Sequence, residues 1–132
     1  MSYTLHTEVD GDFDDVVEAT IARLDDEGFG VLCEVDVRET FRKKLDADFR
    51  RYRILGACNP PLARKALEAE LALGALLPCN VIVYETDDGG VAVEAVDPER
   101  LVGVAENPAL DDVAEEVRDR FEAVLSDLAA GE

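Results

Sequence analysis

The chain has 132 residues, 48% of them apolar, and carries 31 Asp and Glu against 13 Lys and Arg, a net charge of −18. That length suits one domain spanning residues 1–132, with enough apolar material for a core that needs no metal or disulfide staples. The apolar share excludes intrinsic disorder, and the charge argues against a nucleic-acid binder, because most of such a surface repels a phosphate backbone.

Tyr3 to Val9 alternates and reads as a first strand, with Tyr3, Leu5, Thr7 and Val9 on one face. Asp12 is an N-cap; Phe13, Val16, Val17, Ile21 and Leu24 follow at helical spacing, and Gly28 stops the helix. Phe29 to Val37 predicts a strand whose apolar face holds Phe29, Val31, Cys33, Val35 and Val37, which makes Cys33 a core residue. Val37, Phe41 and Leu45 lie one helical turn apart and predict a short helix carrying basic residues outward. Tyr52 to Ala57 is a third strand. Asn59-Pro60-Pro61 starts a helix, with Asn capping and Pro in the first turn, and the Ala/Leu-rich run from Leu62 to Leu73 ends at Gly74.

Asn80 to Glu85 and Val91 to Val96 are strands joined by the hairpin turn Thr86-Asp87-Asp88-Gly89-Gly90, and Asp97-Pro98 ends that unit. After Asn107-Pro108, the residues Val113, Val117, Phe121, Val124, Leu125 and Leu128 mark the clearest amphipathic helix. The order β-α-β-α-β-α-β-β-α predicts an α+β fold: a single, mostly antiparallel sheet with helices packed on one face.

The bases are ten Arg and only three Lys (Lys43, Lys44 and Lys65). A surface rich in Asp and Glu and nearly free of Lys stays hydrated where salt screens its self-repulsion, and the composition resembles that of cytoplasmic proteins from extreme halophiles. Residues 38–65 depart from it, with nine bases and three acids, a net of +6. Such a segment marks an anion site or a contact with an acidic face of a second copy, unless its long stems only cover apolar surface.

The first residues, Met1 to Val9, lack a basic region followed by an apolar run, so no signal peptide is expected. The longest apolar stretch, Leu71 to Leu77, is too short to span a bilayer. A soluble cytoplasmic protein without a membrane partner is the expectation. Three cysteines (Cys33, Cys58, Cys79) in such a compartment are not a disulfide framework.

Two segments carry unusual chemistry: Gly56-Ala57-Cys58-Asn59-Pro60-Pro61 and Leu77-Pro78-Cys79-Asn80. Cys58 leaves a strand just before a helix N-terminus, where free backbone N–H groups and the helix dipole favour a thiolate. Cys79 opens the next strand, and antiparallel pairing of the two strands sets the cysteines side by side. Arg53 and Lys44, with the other bases flanking Cys58, would attract an anion. Against this stand two plainer roles, Cys as buried filler and Asn59 as a cap. A metal centre lacks the further His or Cys pair of a zinc set, and nothing in the sequence calls for a cofactor. His6 has no evident catalytic partner. The acid pairs Asp14-Asp15, Asp87-Asp88 and Asp111-Asp112 fall in first helix turns or a hairpin, where they solvate and cap.

The run from Tyr52 to Ala63, then Leu76-Leu77-Pro78-Cys79-Asn80-Val81, resembles the family called domain of unknown function 302, as do Glu34 to Val37, Phe41, Lys44, Leu45 and Asp97-Pro98. Leu71 and Ala75 stand where members often have Pro and Leu. The resemblance implies a compact α+β domain similar to the TATA-binding-protein-like arrangement, a homodimer, and a signature made of Cys58, Asn59, Cys79 and Asn80; it implies no reaction. Two functions are therefore expected: a module that binds a small anionic ligand or acts through the Cys58/Cys79 thiols, or a non-catalytic structural or dimeric interaction domain with inert cysteines.

Overall fold

The computed structural model describes residues 2–131. Five strands, β1 (Thr4–Val9), β2 (Gly30–Asp36), β3 (Tyr52–Cys58), β4 (Cys79–Glu85) and β5 (Val91–Val96), form one sheet in the order β1-β5-β4-β3-β2. Every neighbouring pair is antiparallel. The inner face, built from Leu55, Ala57, Val81, Val83, Val93 and Ala95, packs against α1 (Phe13–Asp26) and α5 (Asp111–Ala129), which supply Val16, Val17, Leu24, Phe121, Val124 and Leu128. This is the expected α+β arrangement.

Local chemistry sets the element ends. The Asp12 carboxylate accepts the Asp14 N–H at 3.2 Å and starts α1. Gly28, at φ 85°, ends the helix in the left-handed region, and the Phe29 N–H returns to the Leu24 carbonyl at 2.9 Å. That turn delivers Phe29 into the core, its ring centroid 4.8 Å from that of Phe121.

β2 departs from the expectation. The register slips between Val31 and Cys33: Val31 opposes Ala57 on the inner face, but Cys33 opposes Gly56 and Val35 opposes Ile54 on the outer one. The bulge reverses the alternation. Cys33 is therefore exposed rather than a core residue, while Glu34 and Asp36 turn inward toward Arg53.

The helix after Asn59 is shorter than its composition predicts. α3 covers Pro60–Ala69, Glu70 adopts an extended conformation, and a 3-10 turn spans Leu71–Leu76. The break lets Leu73 turn inward to join Ala66 and Leu110 in a second small core. Asp97-Pro98, expected to close the hairpin unit, instead starts α4 (Pro98–Gly103), with the Asp97 carboxylate accepting the Glu99 N–H at 3.0 Å. α2 (Val37–Leu45) buries none of its residues.

Candidate functional site: a thiol-bordered cavity

Antiparallel pairing of β3 and β4 sets Ala57 opposite Cys79, so Cys58 at the end of β3 neighbours Cys79 at the start of β4. Both border a half-open cavity of about 290 Å³ beneath α3, α4 and α5. Its wall is apolar: Phe29, Leu62, Leu77, Val102 and Val117 are representative. Asn59 is its one polar side chain apart from the thiols, and no charged residue lines it.

Each of these residues has a structural cause. Asn59 is buried and caps α3, its Oδ1 accepting the Leu62 N–H at 3.2 Å. Its amide nitrogen lies over Gly28, where an added Cβ would stand 3.0 Å from it. Gly56, one residue before Ala57, permits close approach from the other face, since a Cβ there would stand 2.5 Å from Cys33 Sγ and 2.9 Å from Pro78 Cγ.

The electrostatics reverse one expectation. Cys58 is not acidified at the N-terminus of α3; burial pushes its thiol up. Burial pushes the Cys79 thiol further, to about 11, and the neighbouring Cys58 adds to it. Apolar walls withdraw hydration from a thiolate and so favour the neutral thiol. Both are free thiols in their neutral form near neutral pH.

The remaining predicted site residues lie elsewhere. Asn80 follows Cys79 in the strand and therefore faces the opposite side of the sheet, across from Gly56. Arg53 is five residues from Cys58 along β3, about 17 Å at the strand rise, and pairs with Glu34 at 2.7 Å and Asp36 at 3.7 Å. It borders a separate polar depression of about 360 Å³ with Arg38, Arg42, Arg51 and nearby acids. Lys44 is exposed on α2, and Arg64 pairs with Glu68 on α3. The basic segment thus does not converge on the cysteines. Sequence reasoning missed the far wall, Val102 and Val117, because nothing local links α4 and α5 to Cys58. Among the described residues no group of three or more His, Cys, Asp or Glu is arranged to hold a metal ion, and no helix is long and apolar enough to cross a membrane.

Sheet order, one-sided helix packing and the cavity at the β3–β4 end define a small α+β domain of one antiparallel sheet. The chain belongs to the family described as domain of unknown function DUF302, whose family model matches residues 5–128. A similar solved structure is the crystal structure of an uncharacterized conserved protein DUF302 from Bacillus stearothermophilus. It is 31% identical, with a TM-score of 0.90 over 97% of this chain and 99% of that one. None of the curated proteins matches the chain.

Proposed function

We propose that the protein is a binding module for a small, uncharged, largely apolar molecule, held in the cavity bordered by Cys58 and Cys79. The observation that carries this reading is the wall itself: a half-open space of about 290 Å³ with two neutral thiols, one amide and otherwise apolar side chains. Its volume is at the small end of ligand pockets, which run from about 300 Å³ upward. An anion finds no counter-charge in this wall, and burying an unpaired charge is strongly unfavourable. Nucleophilic use of the thiols is the less supported form of the same site, because burial keeps both protonated.

Titration with N-phenyl-1-naphthylamine, a neutral fluorescent probe, tests the reading. A saturable one-to-one rise in fluorescence is expected. Ala63→Phe, at a half-buried position of the wall, should abolish it without unfolding the protein. An absent signal, or equal binding by the variant, refutes the cavity as a ligand site.

A second reading, a dimeric interaction module, is favoured by the segment from β2 through α2. α2 has no buried residue, and Leu32 and Leu45 each remain 68% exposed. Arg38, Arg42, Lys43 and Lys44 on α2 complement the acidic surface that a second copy of a −18 chain presents. Sedimentation equilibrium checks this: Leu45→Glu should shift a dimer to monomer, and a monomeric parent protein at high concentration in low salt rules the reading out.

A further inference from the structure

The outer face of the sheet gathers all three tyrosines of the chain. Tyr52 on β3 and Tyr84 on β4 are directly opposed in register and stack, their centroids 5.4 Å apart and their planes 13° from parallel. Tyr3, just before β1, stands 73% exposed on the other side of the same depression, which has a volume of about 600 Å³. Between them Glu94 projects from β5. One carboxylate oxygen accepts the Tyr84 hydroxyl at 2.5 Å and the other accepts the Thr4 hydroxyl at 2.6 Å.

Glu94 has no counter-ion among the described residues, unlike the buried Asp97. Asp97 is paired with Arg118 at 3.3 Å, whereas Glu94 meets no cation within 4 Å among the described residues. No Lys or Arg lines the depression. His6 opposes Glu94 on β1 but is exposed and makes no ion pair with it. A half-buried carboxylate fixed by two hydroxyls keeps further lone pairs free. Three aromatic rings with negatively polarised faces line the same depression.

We propose that this depression binds a small organic ammonium ion, its charge against Glu94 and its alkyl groups against Tyr3, Tyr52 and Tyr84. Carboxylate attraction and cation–π contact both select for positive charge. Ile82 and Val96, also in the wall, favour alkyl substituents over a hydrated metal ion. A single carboxylate without companion ligands is a poor metal site. Phosphate and carboxylate ligands are disfavoured by the absence of any base and by a chain charge of −18. The site is on the opposite face of the sheet from the inward-facing Cys79, so it is independent of the thiol cavity.

The protein carries its own reporter. With no tryptophan, its intrinsic fluorescence comes from these three tyrosines alone. Choline should change that fluorescence saturably, while its neutral isostere, with carbon replacing the nitrogen, should not. Glu94→Gln keeps a hydrogen-bond acceptor and removes the charge, and should weaken choline binding about tenfold or more. Tyr52→Leu, which removes the stacked ring, should weaken it as well. Circular dichroism and a thermal melt confirm that each variant is folded; if Glu94→Gln is not, the comparison of choline with its isostere in the parent protein decides. Equal response to the two compounds, no saturable response to choline, or unchanged binding in a folded Glu94→Gln protein overturns the proposal. A tyrosine signal that follows protein concentration and ignores choline identifies a second copy as the occupant and likewise overturns it.

Discussion

Cys79 offers the sharpest quantitative prediction, because its environment is read from the wall of one cavity. Burial and the neighbouring Cys58 raise its thiol from an ordinary 9.0 to about 11. The thiolate is the reactive form, so at neutral pH Cys79 carries about a hundredfold less of it than an ordinary thiol. Alkylation by iodoacetamide, followed by peptide mass spectrometry, should label exposed Cys33 first, Cys58 next and Cys79 last. The Cys79 rate should keep rising with pH toward about 11. The same shift has a stability consequence: the folded state holds this proton more tightly than the unfolded chain. Its contribution is fully present below pH 9 and lost as pH rises toward 11, about 3 kcal/mol in all. Rapid labelling of Cys58 or Cys79 that levels off below pH 8 would mean that the α3 N-terminus outweighs burial, and the neutral-wall reasoning fails.

Gly56→Ala should destabilise the protein by about 1–3 kcal/mol, because its Cβ meets Cys33 Sγ and Pro78 Cγ. Adding Cys33→Ala should recover part of that loss, and additive behaviour in urea denaturation refutes the contact. Asp97→Ala removes the α4 cap and the Arg118 partner and should lose about 1–3 kcal/mol in the same assay. Asp97→Asn, which can still cap, should lose less; equal losses would discount the cap. Tyr84, held up to about 12 mainly by its hydrogen bond to Glu94, should ionise nearer 10 in Glu94→Gln, as read by tyrosinate absorbance. That stabilisation is present below pH 10 and lost as pH rises toward 12; an unchanged titration contradicts the hydrogen bond. Self-repulsion at −18 should make the protein more stable in molar KCl than in dilute buffer, and a melting temperature indifferent to salt argues against salt adaptation.

Much of the fold was legible because the signals were local. The caps at Asp12 and Asn59, the turn at Gly28 and the 3.6-residue stripe through Val117, Phe121 and Leu128 each specify structure over a few residues. Cys33 was misread because alternation assumes an unbroken ladder, and a one-residue bulge sends everything beyond it to the other face. α4 was missed although Asp97-Pro98 carries the same cap-and-proline signal as Asn59-Pro60, its helix being only six residues long. The pairing of Cys58 with Cys79 followed from antiparallel neighbours. The separation of Asn80 from Cys79 follows from alternation alone, so two adjacent motif residues serve opposite faces. The tyrosine depression needed strand order as well, since Tyr3, Tyr52 and Tyr84 are brought together only by the β1-β5-β4-β3 sequence of neighbours.

The basic segment changes meaning once its partners are known. Of the nine bases in residues 38–65, Lys43, Arg50, Arg51, Arg53 and Arg64 face acids of the same chain within 4 Å. Arg50 ties β3's approach to Asp87 in the hairpin, and Arg53 holds the inward acids Glu34 and Asp36 of the bulged edge strand. Arg50 and Arg53 thus fasten the hairpin and the outer end of β2 to the β3 segment. The four left without an ion pair among the described residues are Arg38, Arg42, Lys44 and Lys65, and three of them lie on α2. Unspent positive charge therefore concentrates on the one long helix that buries nothing. Surface pairs are weak individually, but a free basic helix on a strongly acidic chain is attracted to an acidic surface, which in the proposed dimer belongs to a second copy. Association through α2 should then weaken as salt rises, even while salt stabilises the fold. Sedimentation across a salt series separates the two effects: a dimer that tightens with salt would place the interface on apolar residues such as Leu32 and Val35 rather than on α2.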